Sequence, residues 1–265
     1  MEMKFEHQTF GRRLGTMLKV DFRRMFTMPL LYIMVGSCLV MPILILVMTT
    51  MMDGSVSVDP QTGVETIIEG FDNAWQAIAS PSGTPMSMDM TGMCNINMLY
   101  FFVAVLVCIF VADDFRSGYA KNLFTVRAKN GDYGISKTLA CFVGGALMLL
   151  AFFVGTILGG AISGLPFDLD SAGVSGLVMC MASKLLLVAV FVPLYLLWSV
   201  GAKQKLWMSM VGSMMTGMLL FMMIPMLTPL DSTIVNVIGC LIGGALFGVG
   251  LGAVSNMILK KTSLV

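Results

Sequence analysis

VADDFRSGYAKNLFTVRAKNGDYGISK, residues 111–137, is the stretch on which the fold turns. It is the most polar segment of its length in the middle of the chain, and it carries five of the sixteen Lys and Arg residues. Long apolar runs flank it on both sides. A helix needs about 20 apolar residues to cross roughly 30 Å of hydrocarbon. The flanking runs meet that requirement, so the polar stretch reads as a connection held outside the lipid.

Working outward, six runs qualify as spans: residues 30–52, 96–112, 138–164, 174–200, 205–228 and 234–258. The second is short unless Asn95 and Asn97 sit in the outer headgroup layer. Composition agrees: 57% of the 265 residues are hydrophobic and only 12% are charged, where soluble domains run near 25% charged. Mean hydropathy is +0.88. The sequence predicts an all-α integral membrane protein, one transmembrane domain over 1–265 with six transmembrane helices. A net charge of +1 gives no reason to expect a nucleic-acid partner. Six cysteines are scattered without CxxC spacing, which suggests packing residues rather than a zinc site or a disulfide framework. No small-residue cleavage pattern follows the first apolar run, so that run is expected to stay as an anchor.

The basic residues set the expected orientation. Lys4, Arg12, Arg13, Lys19, Arg23 and Arg24 precede the first span; Arg116, Lys121, Arg127, Lys129 and Lys137 lie around 113–137. Lys203 and Lys205 join spans four and five, and Lys260 and Lys261 follow span six. The opposite loops, 53–95, 165–173 and 229–233, contain no Lys or Arg. Both termini and the 113–137 connection are therefore expected on the cytoplasmic side.

Two further segments are patterned. Phe10, Leu14, Leu18, Phe22 and Phe26 step by four through a basic stretch, which predicts an amphipathic interfacial helix within 1–28, ended by Pro29. In the long outer loop 53–95, Val64, Ile67, Ile68, Phe71, Trp75 and Ile78 recur at threes and fours, which predicts a second amphipathic helix.

Enzymatic motifs fail on inspection. Gly131 to Thr138 resembles a phosphate loop, but Ser136 stands where glycine must precede Lys137, so the chain is expected to bind no nucleotide itself. Gly173-Val-Ser175-Gly suggests an intramembrane serine hydrolase; its only available base is Lys184, because the sole histidine, His7, lies on the other side. Lys184 is also open to two other readings. It could snorkel or pair with Asp168 or Asp170, or it could serve gating or substrate contact.

Methionine is abundant, with 27 residues. Met210, Met214, Met218, Met222 and Met226 form an i+4 ladder in span five. It suits either ordinary helix packing or a flexible apolar path for cargo. Met86, Met88, Met90, Met93 and Cys94 offer soft ligands, which keeps a copper-handling role as an alternative, although methionine is in excess along the whole chain. GxxxG pairs such as Gly155–Gly159 and Gly244–Gly248 predict close helix crossings.

The arrangement of residues 113–137 resembles that of the permease subunits of type-2 ATP-binding-cassette exporters, closest to the small bacterial permeases for lantibiotics and bacitracin-like peptides. In that family an acidic residue and a glycine follow span two, then a basic residue, an arginine, and a lysine entering span three. The positions here are Asp113 or Asp114, Gly118, Lys121, Arg127 and Lys137, with Arg116 and Tyr119 among them; the chain has Asp where the family usually has Glu, and Val126 where it often has Pro. The segment LLWSVGAKQKLWMSMVG, joining spans four and five, is also similar. The resemblance implies a coupling helix that docks on a separate ATPase, which holds ATP and magnesium. It also implies a second permease, identical or related, and a bacterial plasma membrane location. The path would run along spans two and five for an amphipathic peptide or other hydrophobic cargo, with no cofactor and no catalytic residue in this chain.

Overall fold

The computed structural model describes residues 9–58, 65–67, 69–81, 94–126, 130–169, 172–203 and 205–261. The chain opens with α1 (Phe10–Thr27), which turns at Met28 into α2 (Pro29–Met52). Pro29 occupies the first helical position, where its missing N–H costs nothing. A two-stranded hairpin follows, β1 (Val56–Val58) antiparallel to β2 (Glu65–Ile67). Then come 3₁₀ turns at Ala74–Ala77 and Ile96–Met98, α3 (Leu99–Arg116), α4 (Tyr119–Val126), α5 (Asn130–Ser163) and α6 (Gly173–Ala202). The chain ends with α7 (Leu206–Phe221), the single turn α8 (Ile224–Leu227) and α9 (Ile234–Lys261).

Five of these helices are long and apolar enough to cross a membrane, and α7 is a shorter apolar helix. This is a multi-pass α-helical membrane protein. α3 and α6 form its centre; α2 packs on α5, α9 lies along α6, and α7 leans on α3 and α6. α9 leaves most of its side chains exposed, as expected of a surface against lipid.

The crossing of α2 and α5 shows what the paired glycines do. A Cβ on Gly155 would run into the Leu39 carbonyl and Pro42, and one on Gly159 would sit 2.8 Å from the Ile43 Cα. The partner helix for that pair is in the same chain. Gly244 approaches Ala189 of α6, whereas a Cβ at Gly248 or Gly252 would meet open space.

Two expectations are corrected. Span five is not continuous over 205–228: α7 ends at Phe221, a turn at Met222–Met223 intervenes, and α8 starts beside Pro225. Proline lacks the N–H that would bond the Phe221 carbonyl, and its ring crowds that carbonyl, so the helix breaks there. The outer loop holds no amphipathic helix over the described part of 64–78. Glu65–Ile67 is a strand, and only Ala74–Ala77 coils, as one 3₁₀ turn; Val64 and Ile68 lie outside the described residues. Gly70 lets the chain double back, where an added Cβ would stand 2.8 Å from the Thr49 carbonyl. Phe71, Trp75 and Ile78 are nevertheless buried. Trp75 stacks on Phe153 and donates its indole N–H to the Phe167 carbonyl at 3.1 Å. Asn95 and Asn97 are both buried, and the Asn95 side chain caps the turn before α3.

α5 is 34 residues long, about 51 Å at 1.5 Å per residue, so it outruns the roughly 30 Å hydrocarbon layer. Its first two turns, with Asp132, Tyr133, Ser136 and Lys137, therefore extend past the apolar run. They meet α1 and the end of α3 in a polar cluster, and this basic end of the molecule holds the candidate site.

Candidate functional site: a buried charge cluster joining three helices

The cluster starts from α1. Its packed face is Met17, Asp21 and Met25, all buried. The aromatic ladder is displaced one residue from this face, with Phe10 and Phe26 left exposed. Asp21 is thus an acid on the face that docks against α5. Lys137 of α5 meets it: Lys137 Nζ lies 2.8 Å from Asp21 Oδ1 and 2.7 Å from Asp114 Oδ2. Asp21, Asp114 and Lys137 are each fully buried. The contacts at Lys137 are close charge pairs rather than well-aligned hydrogen bonds. Lys137 Nζ also sits 3.9 Å from the centre of the Phe110 ring, a favourable place for a cation.

The remaining oxygens have partners. Ser136 donates to Asp21 Oδ2 at 2.5 Å, and the Tyr133 hydroxyl donates to Asp114 Oδ2 at 2.9 Å. Arg24 forks onto the acidic pair that ends α3, through Asp114 Oδ1 and through Asp113 Oδ2, the latter at 3.1 Å. Its guanidinium lies 4.3 Å from the centre of the Tyr119 ring on α4. Arg13 adds an outer tie, Nε to Asp132 Oδ2 at 3.0 Å. Three helices, α1, α3 and α5, are locked together by two cations on three carboxylates, and the Tyr119 ring of α4 lies against one of those cations.

Electrostatics follows from the geometry. Burial alone would lower the Arg24 pKa, but Asp114 and Asp113 outweigh it and the net shift is upward. Burial raises the Tyr119 hydroxyl; Asp21 and Asp114 push it further, and Arg24 opposes. The stability linked to a raised pKa of this kind is fully present below the ordinary value of about 10 and is lost as pH rises from there through the shifted value. Titration of Tyr119 therefore leaves the cluster intact at neutral pH.

The residues singled out in 111–137 fall into two groups. Asp114 and Lys137 are interior and paired with this chain's own groups. Asp113, Arg116 and Lys121 are exposed, and Tyr119 is half-buried. Gly118 turns the chain from α3 into α4 at φ +73°, a left-handed conformation that glycine adopts without strain. Arg127 lies outside the described residues. Asp21 and Ser136 escaped the sequence reading. The signal was there: an acid spaced four residues from Met17 and four from Met25 shares their face.

At the opposite end, Lys184 is fully buried in α6. Its Nζ donates to Asn97 Oδ1 at 2.8 Å and to Thr228 Oγ1 at 3.0 Å. It neither snorkels nor forms an ion pair among the described residues; Asp168 is exposed, and Asp170 lies outside them. Ser175 is exposed, nine residues and about 13 Å along the same helix, so no Ser175–Lys184 dyad is formed. Met86, Met88, Met90 and Met93 lie outside the described residues, and Cys94 is half-buried.

The methionine ladder faces away from the bundle. Met214, Met218, Met222 and Met226 are exposed and Met210 is half-buried. α7 instead packs through Ser209, Ser213 and Gly217. Ordinary packing within the chain does not account for the ladder.

Together these features define a membrane protein with a rigid, salt-linked platform at its basic end. No family model, no curated protein and no solved structure matches the chain.

Proposed function

We propose that the chain is the permease subunit of an ATP-binding-cassette exporter, driven by a separate ATPase at its basic end. In this proposal it has six spans in a bacterial plasma membrane, and that end and both termini are cytoplasmic. The cargo is an amphipathic peptide or other hydrophobic compound, and a second permease completes the path beside the exposed methionine face of α7. The observation that carries the proposal is the charge cluster. It ties α1, α3 and α5 together and sets the Tyr119 ring, at the start of the short helix α4, against Arg24 of α1. A push on the exposed side of α4 is then delivered to α3 and α5 as one body, as an ATP-driven lever requires. Helices joined only through flexible loops would absorb such a push.

The test is purification from native membranes in mild detergent. The wild-type chain is expected to carry an ATP-hydrolysing subunit. Lys121→Glu, an exposed change outside the cluster, is expected to release most of that subunit while leaving the chain folded. A chain that purifies alone under every mild condition contradicts the proposal.

A further inference from the structure

Three observations converge on α7. First, it is bounded by breaks. At its Leu206 end, the C-cap of α6 is Lys203 at φ +54°, the one non-glycine residue with positive φ among the described residues. Side-chain-bearing residues hold such conformations at a cost, and they gather where a chain must bend or switch. At its other end Pro225 interrupts the helix after Phe221. Second, its seat is small and polar. Cys108 of α3 meets Ser209 Oγ at 3.1 Å and Ser213 Oγ at 3.3 Å, and Ser199 of α6 meets Ser209 at 2.8 Å. Hydroxyl and thiol contacts of this kind hold helices together in lipid without deep interdigitation.

Third, one side chain ties down the far end. Lys184 of α6 donates to Asn97, at the start of α3, and to Thr228, just past α8. The Thr228 hydroxyl in turn donates to the Ile224 carbonyl at 2.9 Å, and the Tyr100 hydroxyl donates to the Lys184 carbonyl at 2.8 Å. Lys184 thereby ties two irregular pieces together through their side chains, the 3₁₀ turn before α3 and the residue just past α8. Its partners are neutral, so parting them strands no carboxylate, and the released ammonium must reach other acceptors or water.

The geometry points to a latch: Lys184 holds α7 and α8 shut against α3 and α6 through Asn97 and Thr228, and its release lets α7 swing about Lys203 and open the Cys108–Ser213 seam. The latch stands on the packing of this chain alone. Where the transport proposal also holds, the latch is the gate beside the methionine face.

A disulfide across the seam reads the latch directly. Ser213→Cys places a thiol against Cys108, and mild oxidation in lipid nanodiscs links them while the seam is closed; peptide mass spectrometry follows the rate. Adding Lys184→Met, which keeps most of the side-chain length, is expected to lower the closed-to-open ratio about tenfold, the effect of losing two hydrogen bonds of ordinary strength, and so to slow crosslinking under conditions where the wild-type seam opens measurably. Adding Thr228→Val, which removes one hydroxyl and keeps the shape, is expected to lower that ratio about threefold, and this arm carries the test if the lysine variant does not fold. Adding Lys203→Gly, which relieves the strained turn, is also expected to change the rate. An unchanged rate in folded protein with Thr228→Val or Lys184→Met overturns the latch. Binding of the ATPase plays no part in this readout, so the two proposals fail separately.

Discussion

The two ends of the molecule solve one problem in opposite ways. Each must hold polar groups inside an apolar bundle. The basic end does it with full charges: Asp21, Asp114, Lys137 and Arg24 converge from three helices and neutralise one another. The opposite end does it with one lysine on two neutral acceptors, Asn97 and Thr228. A buried ion network tolerates no partial loss, since removing one member strands the others in a low dielectric. A single lysine on two neutral acceptors strands no carboxylate when it parts from them, so less is lost than in the ion network. The difference teaches where the chain is built to be rigid and where it is built to give.

The sharpest way to break this comparison is Lys137→Met. It leaves the Asp21 and Asp114 carboxylates buried and close, and is expected to cost about 3–5 kcal/mol. Little folded protein should survive detergent extraction, as seen by size-exclusion chromatography. Combining it with Asp21→Asn and Asp114→Asn should recover much of the loss, because no charge is then stranded. If Lys137→Met alone is as stable as the wild type, the cluster is not the clamp described here.

An intermediate effect is expected at the helix crossing. Gly155→Leu drives a side chain into the Leu39 carbonyl and Pro42, and overpacking of this kind costs about 1–3 kcal/mol. Gly248→Leu on α9, where a Cβ meets open space, should be near neutral in the same thermal-unfolding assay. Thr228→Val should lower stability least, by about 1 kcal/mol. A loss at Thr228 equal to that at Lys137 would erase the contrast between the two ends.

Much of the architecture was legible from the sequence. Span lengths follow from the thickness of lipid, and five long apolar helices lie where the runs were read. The 111–137 stretch does contain a helix end, a glycine turn and a short helix. The pairing of Asp114 with Lys137 was not legible, because hydropathy ranks charged residues as exposed and does not report that two charges 23 positions apart face each other. Asp21 was hidden by a neighbouring aromatic ladder that pointed to a face one residue away. The hairpin and Trp75 plug were missed because threes-and-fours spacing in a short loop is also what buried turns produce. The break at Met222–Met223 was readable from Pro225, but the methionine ladder ran through it and suggested continuity.

The central claim is that the platform at 113–126 is gripped by a separate ATPase, and a photo-crosslinking amino acid at Lys121 in native membranes tests it most directly. The account predicts one dominant crosslinked product, identified by its peptides as an ATP-binding subunit, and none from the same probe at Val56 on the opposite end. A probe at 121 that reaches only lipid and water, or that is labelled from outside the intact cell, would contradict it.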